Sequence, residues 1–427
     1  MKADWVSVDQ AIHTVLWAMR ELGAQPCELR AARGRVLAED LVAPIELPRW
    51  TNSAMDGFAV YGDDVVSASE ASPVELPIVE EIAAGSFPLH PLKRGTAARI
   101  MTGAPLPDGA DSVVRIEHTD GGRDSGGAYP LVTIFSGLDA TRNLRRKGEE
   151  IGVGSIALRA GSVMSPAALG VAASLGWADV SVYRKPRVAL LTSGDELVDL
   201  DGFEEVLAGK KIVSSNTYTL TGMLEEIGCE VINLGIARDC EESLRKALAH
   251  ADGCDALVTS AGISVGAHDH VKSVLLSMGA AVKFWRVLMR PGSPFAFGTI
   301  GGLGGIPWFG LPGNPVSSAV TFELFARPAL LRMAGHRNVF RRVIYARLLD
   351  DYLAPNGLTQ FVRVTLDREG EVAVARLTGS QGSGILSSVA AADGLMVIGE
   401  EREGAAAGES YPVILLGSGG LQGEAGF

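Results

Sequence analysis

Two loops decide how this chain is read: TSAGISVGAHD at residues 259–269 and GLPGNPVSS at residues 310–318. The first follows the apolar run Ala256-Leu257-Val258 and the second follows Ile306-Pro307-Trp308-Phe309. Each leads into a helix-like run, beginning near His270 or Val316. A loop of small residues between a strand and a helix start presents backbone N–H groups and the positive end of a helix dipole. Two such loops in one α/β unit point to an anionic, phosphorylated ligand. A single one would carry less weight, because Gly is 52 of the 427 residues and glycine loops also simply turn a chain.

The same alternation covers residues 183–330. Strands are expected at 188–191, 230–234 and 256–258, helices at 217–227, 240–250 and 271–278, and extended chain at 283–289 and 295–298. Ser215 or Asn216 is expected to cap the 217–227 helix. Short apolar runs of this kind read as parallel strands buried on both faces, with ligands held outside their carboxyl ends. Towards the N-terminus, Val8, Ile12, Val15, Leu16, Met19 and Leu22 recur at helical spacing and predict a helix over 6–22. Residues 28–38 read as helix or turn. Helical periodicity is lost over 60–140, where short strands at 76–79, 97–100, 112–116 and 131–134 alternate with turns, so a small β-rich domain is inserted there. Ser165 and Pro166 open a helix over 165–175. Beyond residue 339 strands return at 343–348, 360–366, 372–377 and 395–398, with a short helix at 385–392 and a Gly-rich tail expected to fray after Leu415.

Hydrophobic residues make up 47% of the chain and aromatics only 6%, enough for cores built from Val, Leu, Ile and Ala. No apolar run reaches bilayer length and MKADWVSVDQ is not a signal peptide, so a soluble, cytoplasmic protein with no membrane partner is expected. A net charge of −12 argues against a nucleic-acid partner. Cys27, Cys229, Cys240 and Cys254 are widely spaced and read as reduced structural thiols.

Carboxylates gather in the loops. Asp195 and Glu196 end the first strand of the α/β part, Asp239 follows the second and Asp269 the third, so a parallel sheet brings them to one edge. Oxygen ligands of this type suit Mg²⁺. His268 and His270 flank Asp269, a pattern that serves a transition metal or, more commonly, the surface. Arg286 and Arg290 beside the RPGSP turn are equally suited to an oxyanion and to solvent. Thr102 in MTGAPLPDGAD and Asp56 in SAMDG fit either a ligand contact or the holding of their own turns. There is no GxxxxGK[ST] and no suitable GxGxxG, which removes the common nucleotide-binding motifs.

SAMDGFAV, MTGAPLPDGADSVVRIE, TSGDEL, SAGISVGAHD, RPGSPFAFG and GLPGNPVSS occur in the order found in the molybdopterin molybdenumtransferase family, the group of MoeA and the gephyrin E domain. The resemblance spans practically the whole chain. It implies a multidomain fold: a discontinuous helical and extended linker domain (1–44 and 141–182) and an inserted β-rich domain (45–140). An α/β domain similar to molybdopterin adenylyltransferases (183–330) and a C-terminal β-barrel (338–416) complete it. It also implies a homodimer with the active site shared between subunits. The implied reaction inserts molybdate into adenylylated molybdopterin and releases AMP, with Mg²⁺ as the cation. Transient contact with molybdopterin adenylyltransferase and with proteins that mature molybdoenzymes is implied as well.

On the matching positions, the resemblance assigns Asp56, Thr102, Glu196, Asp239 and Asp269 to catalysis, the first two as the wall given by the partner subunit and the last three also as metal ligands. Ser193, Gly194, Gly262, Ser264 and Gly266 belong to the substrate-binding loops. Arg290, Pro291, Ser293, Pro294, Pro312, Gly313, Asn314 and Pro315 shape the others. The chain departs from the family pattern at four places. Ala261 replaces a Gly, adding a Cβ that penalises a positive φ. Ser293 replaces the Lys of PGKP and removes a positive charge. Ser214 replaces an acidic residue, and Glu150 an Asp. The alternative reading is a non-catalytic molybdopterin-binding scaffold, or a paralogue specialised for another oxyanion such as tungstate. The α/β domain alone would serve an adenylyltransferase, and the additional domains argue against that.

Overall fold

The computed structural model describes residues 5–123, 130–261, 270–354 and 357–417. By internal contacts the chain forms two compact units, one of residues 1–26, 34–38 and 181–427, the other of residues 27–33 and 39–180.

The larger unit is built on a seven-stranded sheet. Its elements in chain order are β1 (Trp5–Val6), α1 (Val8–Ala18), β2 (Arg187–Ser193), α2 (Ser215–Glu226), β3 (Glu230–Ala237), α3 (Glu241–Leu248), β4 (Ala256–Ser260) and α4 (His270–Ser277). Then follow β5 (Ala280–Val287), β6 (Pro294–Ile300), β7 (Ile306–Leu311), α5 (Pro315–Thr321) and α6 (Arg327–Met333). The strand order is β1-β5-β6-β7-β4-β2-β3. β7, β4, β2 and β3 run parallel as expected. β5, β6 and β7, by contrast, form an antiparallel meander. The sequence marked 283–289 and 295–298 only as extended chain, without direction. The connections 288–293 and 301–305 are far shorter than the dozen or so residues a parallel crossover requires.

Strand alternation sorts the core into two faces. Val188 and Leu190 of β2 join Ala11 and Val15 of α1, Leu220 and Leu224 of α2 and the Phe295–Phe325 stack. Ala189 and Leu191 face Leu244 and Leu248 of α3 and Val271 and Leu275 of α4. The strand is therefore buried on both sides, and the loop at its carboxyl end has a fixed base. The N-terminal helix is shorter than predicted at both ends: Ser7 and Gln10 close a capping box at its start, Gln10 N donating to Ser7 Oγ and Ser7 N to Gln10 Oε1, and the chain turns extended at Met19. Residues 28–38 hold only a 3-10 turn, Leu29–Ala31.

In the same unit, Val343–Leu348, Thr359–Glu369, Val372–Leu377, Gly394–Ile398 and Ser410–Leu415 close into a barrel. The last strand is not among those expected from the sequence; it pairs with Val343–Leu348 and Gly394–Ile398. The two-residue strand Met289–Arg290 lies parallel to Thr359–Gln360 and ties the barrel to the α/β layer.

The second unit carries a five-stranded sheet of Ser112–Arg115, Gly57–Val60, Ala97–Ile100, Val74–Ile82 and Leu131–Ile134 in that order. Phe58 and Val60 face one small core and Ala59 the other. Ser165 caps the helix Pro166–Ser174, its Oγ accepting from Ala168 N. Among the described residues no helix is long and apolar enough to cross a membrane.

Candidate active site

The carboxyl ends of β2 and β3 bring Asp195, Glu196 and Asp239 to one end of the sheet, within electrostatic reach of one another. Gly194 has φ 152°, and a Cβ on it would lie 2.9 Å from the Glu196 carboxylate, so this turn requires glycine. Asp195 Oδ1 accepts from the backbone N–H of Asp239 at 3.2 Å. The ammonium of Lys211 donates to the Asp195 carbonyl from above. Partial burial, the charge of Asp195 and then that of Glu196 push the Asp239 carboxyl above the usual carboxylate range, with His270 opposing. Among the described residues no three His, Cys, Asp or Glu side chains form a cluster that could hold a metal ion. Asp269, the third expected ligand, lies outside the described residues, as do Gly262, Ser264, Gly266 and His268. What is present suits a hard divalent cation: oxygen donors, no thiol, and mutual repulsion that a cation would relieve.

Beside this cluster a cavity of about 390 Å³ is lined by Thr192, Glu196, Ser214, Asn216, Ser260, Ala261, Gly313, Asn314 and Pro315, among others. Its wall is a hydroxyl and amide network. Ser214 Oγ and Thr217 Oγ1 are 2.8 Å apart, and Thr217 Oγ1 lies 3.0 Å from Thr192 Oγ1. Asn216 Nδ2 donates to Ser260 Oγ at 2.7 Å and to the Gly313 carbonyl at 2.8 Å. The cap of α2 is thus Ser214, not Ser215 or Asn216, and its hydroxyl serves the network instead of a helix amide. Among the described residues Ser193 Oγ and Asn216 Oδ1 are buried with no hydrogen-bond partner, which leaves both available to a ligand. Ala261 adopts φ 73°, so a residue with a side chain sits in the left-handed region, and Ala261 N donates to the Leu311 carbonyl.

The loop 310–318 enters α5 with Asn314 as cap and Pro315 first in the helix. Part of its amide supply is already used: Val316 N donates to the Ser383 carbonyl and Asn314 Nδ2 to Ser383 Oγ, both from the SQGSG loop of the barrel. The RPGSP turn lies against the same helix, since a Cβ on Gly292 would come within 2.5 Å of Thr321 Cγ2. Arg290 is exposed, and Ser293 Oγ donates back to the Val287 carbonyl at 2.9 Å. Arg290, Pro291, Ser293, Pro294 and Pro312 are not among the residues lining the 390 Å³ cavity.

Sequence reasoning overlooked Lys211, the Thr192–Thr217–Ser214 chain and Arg363. Arg363 is 1% exposed; its guanidinium donates to Ser388 Oγ at 3.2 Å and to the Gly382 carbonyl at 3.1 Å. Among the described residues no carboxylate pairs with it, and burial lowers its pKa. A buried guanidinium without an anion, next to the loop that holds α5, is a charge an oxyanion would neutralise. The signal was a lone Arg within the apolar run FVRVTL. In the second unit, Asp56 Oδ1 accepts from Thr102 N at 2.6 Å and Thr102 Oγ1 at 2.7 Å, which holds this exposed carboxyl below the usual range.

Three family models match the chain: the MoeA N-terminal region (domain I and II) over residues 6–176, a probable molybdopterin binding domain over 189–332, and the MoeA C-terminal region (domain IV) over 345–416. A molybdopterin molybdenumtransferase 2 of Mycobacterium tuberculosis (strain CDC 1551 / Oshkosh) is 36% identical over 413 residues, covering 95% of this chain and 98% of that protein. A molybdopterin molybdenumtransferase of Staphylococcus aureus (strain COL) is 33% identical over 423 residues, covering 98% and 97%. The crystal structure of a molybdopterin biosynthesis moeA protein from Pyrococcus horikoshii OT3 matches with a TM-score of 0.81 and 29% identity, over 96% of this chain and all of that one. With sequence, domain models and fold in agreement over nearly its full length, the chain belongs to the MoeA family of molybdopterin molybdenumtransferases.

Proposed function

We propose that this chain inserts molybdate into adenylylated molybdopterin, releasing AMP. The observation that carries the reading is the placement of Asp195, Glu196 and Asp239 beside the hydroxyl-lined cavity at one end of the sheet. Glu196, Asp239 and Asp269 would hold Mg²⁺. When bound, the cation neutralises phosphate charge and eases departure of the AMP group. The chain's own residues do the rest. Asn216, Ser214 and Ser260 orient a polar ligand through their fixed hydrogen bonds. Lys211 anchors the carboxylate-bearing turn by its backbone. The reading includes a cytoplasmic homodimer whose subunits share the site, Asp56 and Thr102 coming from the partner, and the four-domain division given above.

A second reading is favoured by Ala261 at φ 73° and by Ser293, whose hydroxyl is engaged in its own loop: a scaffold, or a paralogue for another oxyanion such as tungstate. The test is to incubate the purified protein with adenylylated molybdopterin, molybdate and Mg²⁺ and to follow AMP and metal-bound cofactor together. Both should form in step, and Glu196→Gln should slow them about ten- to hundredfold. Tight binding without AMP release would leave the scaffold reading. Turnover with tungstate alone would select the specialised paralogue.

A further inference from the structure

In the second unit an aromatic pair stands on the surface. Trp50 and Phe87 meet edge to face with ring centroids 5.0 Å apart, yet Trp50 remains 39% exposed and Phe87 60%. Trp50 opens the segment that carries Asp56, and this segment is laced to the Thr102 loop: Leu106 N donates to the Thr51 carbonyl, Gly103 N to that of Ser53, and Ser53 N to that of Ala104. Met101 N donates to the Ile82 carbonyl, which brings the chain leading to Phe87 against the same loop. Trp50, Phe87, Asp56 and Thr102 thus belong to one loop cluster.

Charge completes the arrangement. Lys147 lies 2.9 Å and Arg49 3.7 Å from the same Glu46 oxygen, and Lys147 N donates to Thr51 Oγ1. Two cations share one carboxylate, so a net positive charge remains next to Trp50, and the Arg49 and Lys147 side chains are 48% and 61% exposed. An exposed aromatic face beside uncompensated cations matches a planar base carrying a phosphate: the ring stacks and the phosphate meets the ammonium or guanidinium.

We propose that Trp50 and Phe87, with Arg49 and Lys147, form a stacking site for a purine nucleoside monophosphate, the adenylate half of the substrate. This assignment rests on the function proposed above, but its binding test does not need turnover. The full-length protein is titrated with AMP, with adenosine and with ribose 5-phosphate by calorimetry. AMP should bind more tightly than either fragment. Trp50→Ala should weaken AMP about five- to hundredfold, and Trp50→Phe should retain most of the affinity. Lys147→Ala should weaken AMP and ribose 5-phosphate while flattening the salt dependence, and leave adenosine unchanged. Trp50→Ala binding AMP like the wild type overturns the site, as does no AMP binding at all. So does a change in sedimentation with AMP affinity intact, which would make the aromatic pair a protein contact. Insertion measured on the same preparations separates the two ideas: normal insertion with Trp50-independent AMP binding sinks only the stacking site. Trp50-dependent AMP binding without insertion sinks only the proposed reaction.

Discussion

Asp239 shows how one residue reports on the site. Its carboxyl is held above the ordinary value of 3.8, so ionising it costs more in the folded than in the unfolded chain. The stability associated with its protonated form is complete below that ordinary value and is lost as pH rises through the raised one. Asp239→Asn should therefore raise Tm at pH 7 by roughly 1–2 °C without Mg²⁺, an increment that vanishes in acid below the ordinary carboxylate range. Added Mg²⁺ should raise Tm of the wild type and not of the variant. A pH-independent difference in Tm would remove the carboxylate repulsion as its cause. Ser293 makes the complementary case. Because its hydroxyl is turned to Val287, Ser293→Lys adds a charge without breaking a ligand contact, and molybdate binding at low salt should tighten about three- to tenfold. An unchanged titration would place the RPGSP turn away from the oxyanion.

At the level of elements, the turn and helix α5 form a fitted pair. Gly292 has φ 100° and no room for a side chain against Thr321. Gly292→Ala should cost about 2–3 kcal/mol in urea unfolding. Adding Thr321→Ser, which removes the clashing methyl, should recover part of it, whereas no recovery would assign the whole loss to backbone strain. The strands 188–191 and 256–258 were legible because both faces of a central strand are buried and every residue is apolar. The loop chemistry was legible because Gly194, Ala261 and Gly313 sit where few side chains fit. The antiparallel meander was hidden, since apolar runs read alike in either direction and only the short connections betray it. Ser410–Leu415 was hidden by Pro412, whose missing N–H the barrel tolerates. Arg363 and the Ser214–Thr217–Thr192 chain were hidden because their partners come from distant segments, and hydroxyls inside a helix carry no periodic signal.

For the whole molecule, the proposal that two subunits complete one site makes a sharp demand on mixtures. Asp56→Ala and Glu196→Gln proteins, each nearly inactive alone, should regain about a quarter of wild-type insertion when refolded together, because half of the dimers are mixed and each holds one intact site. No recovery would confine the chemistry to one chain. The double burial of β2 also has a temporal consequence. A strand locked between two cores opens only when the unit unfolds, whereas the segment after it, from Asp195 to Lys211, is largely surface. In deuterium, the amides of Val188 to Leu191 should be among the last to exchange and those of residues 199–210 among the first. The carboxylates of the site would then hang from the slowest clock in the molecule while the chain immediately beyond them keeps a fast one. Substrate can reshape the approach to the site, on this account, without disturbing the edge where the charges are set.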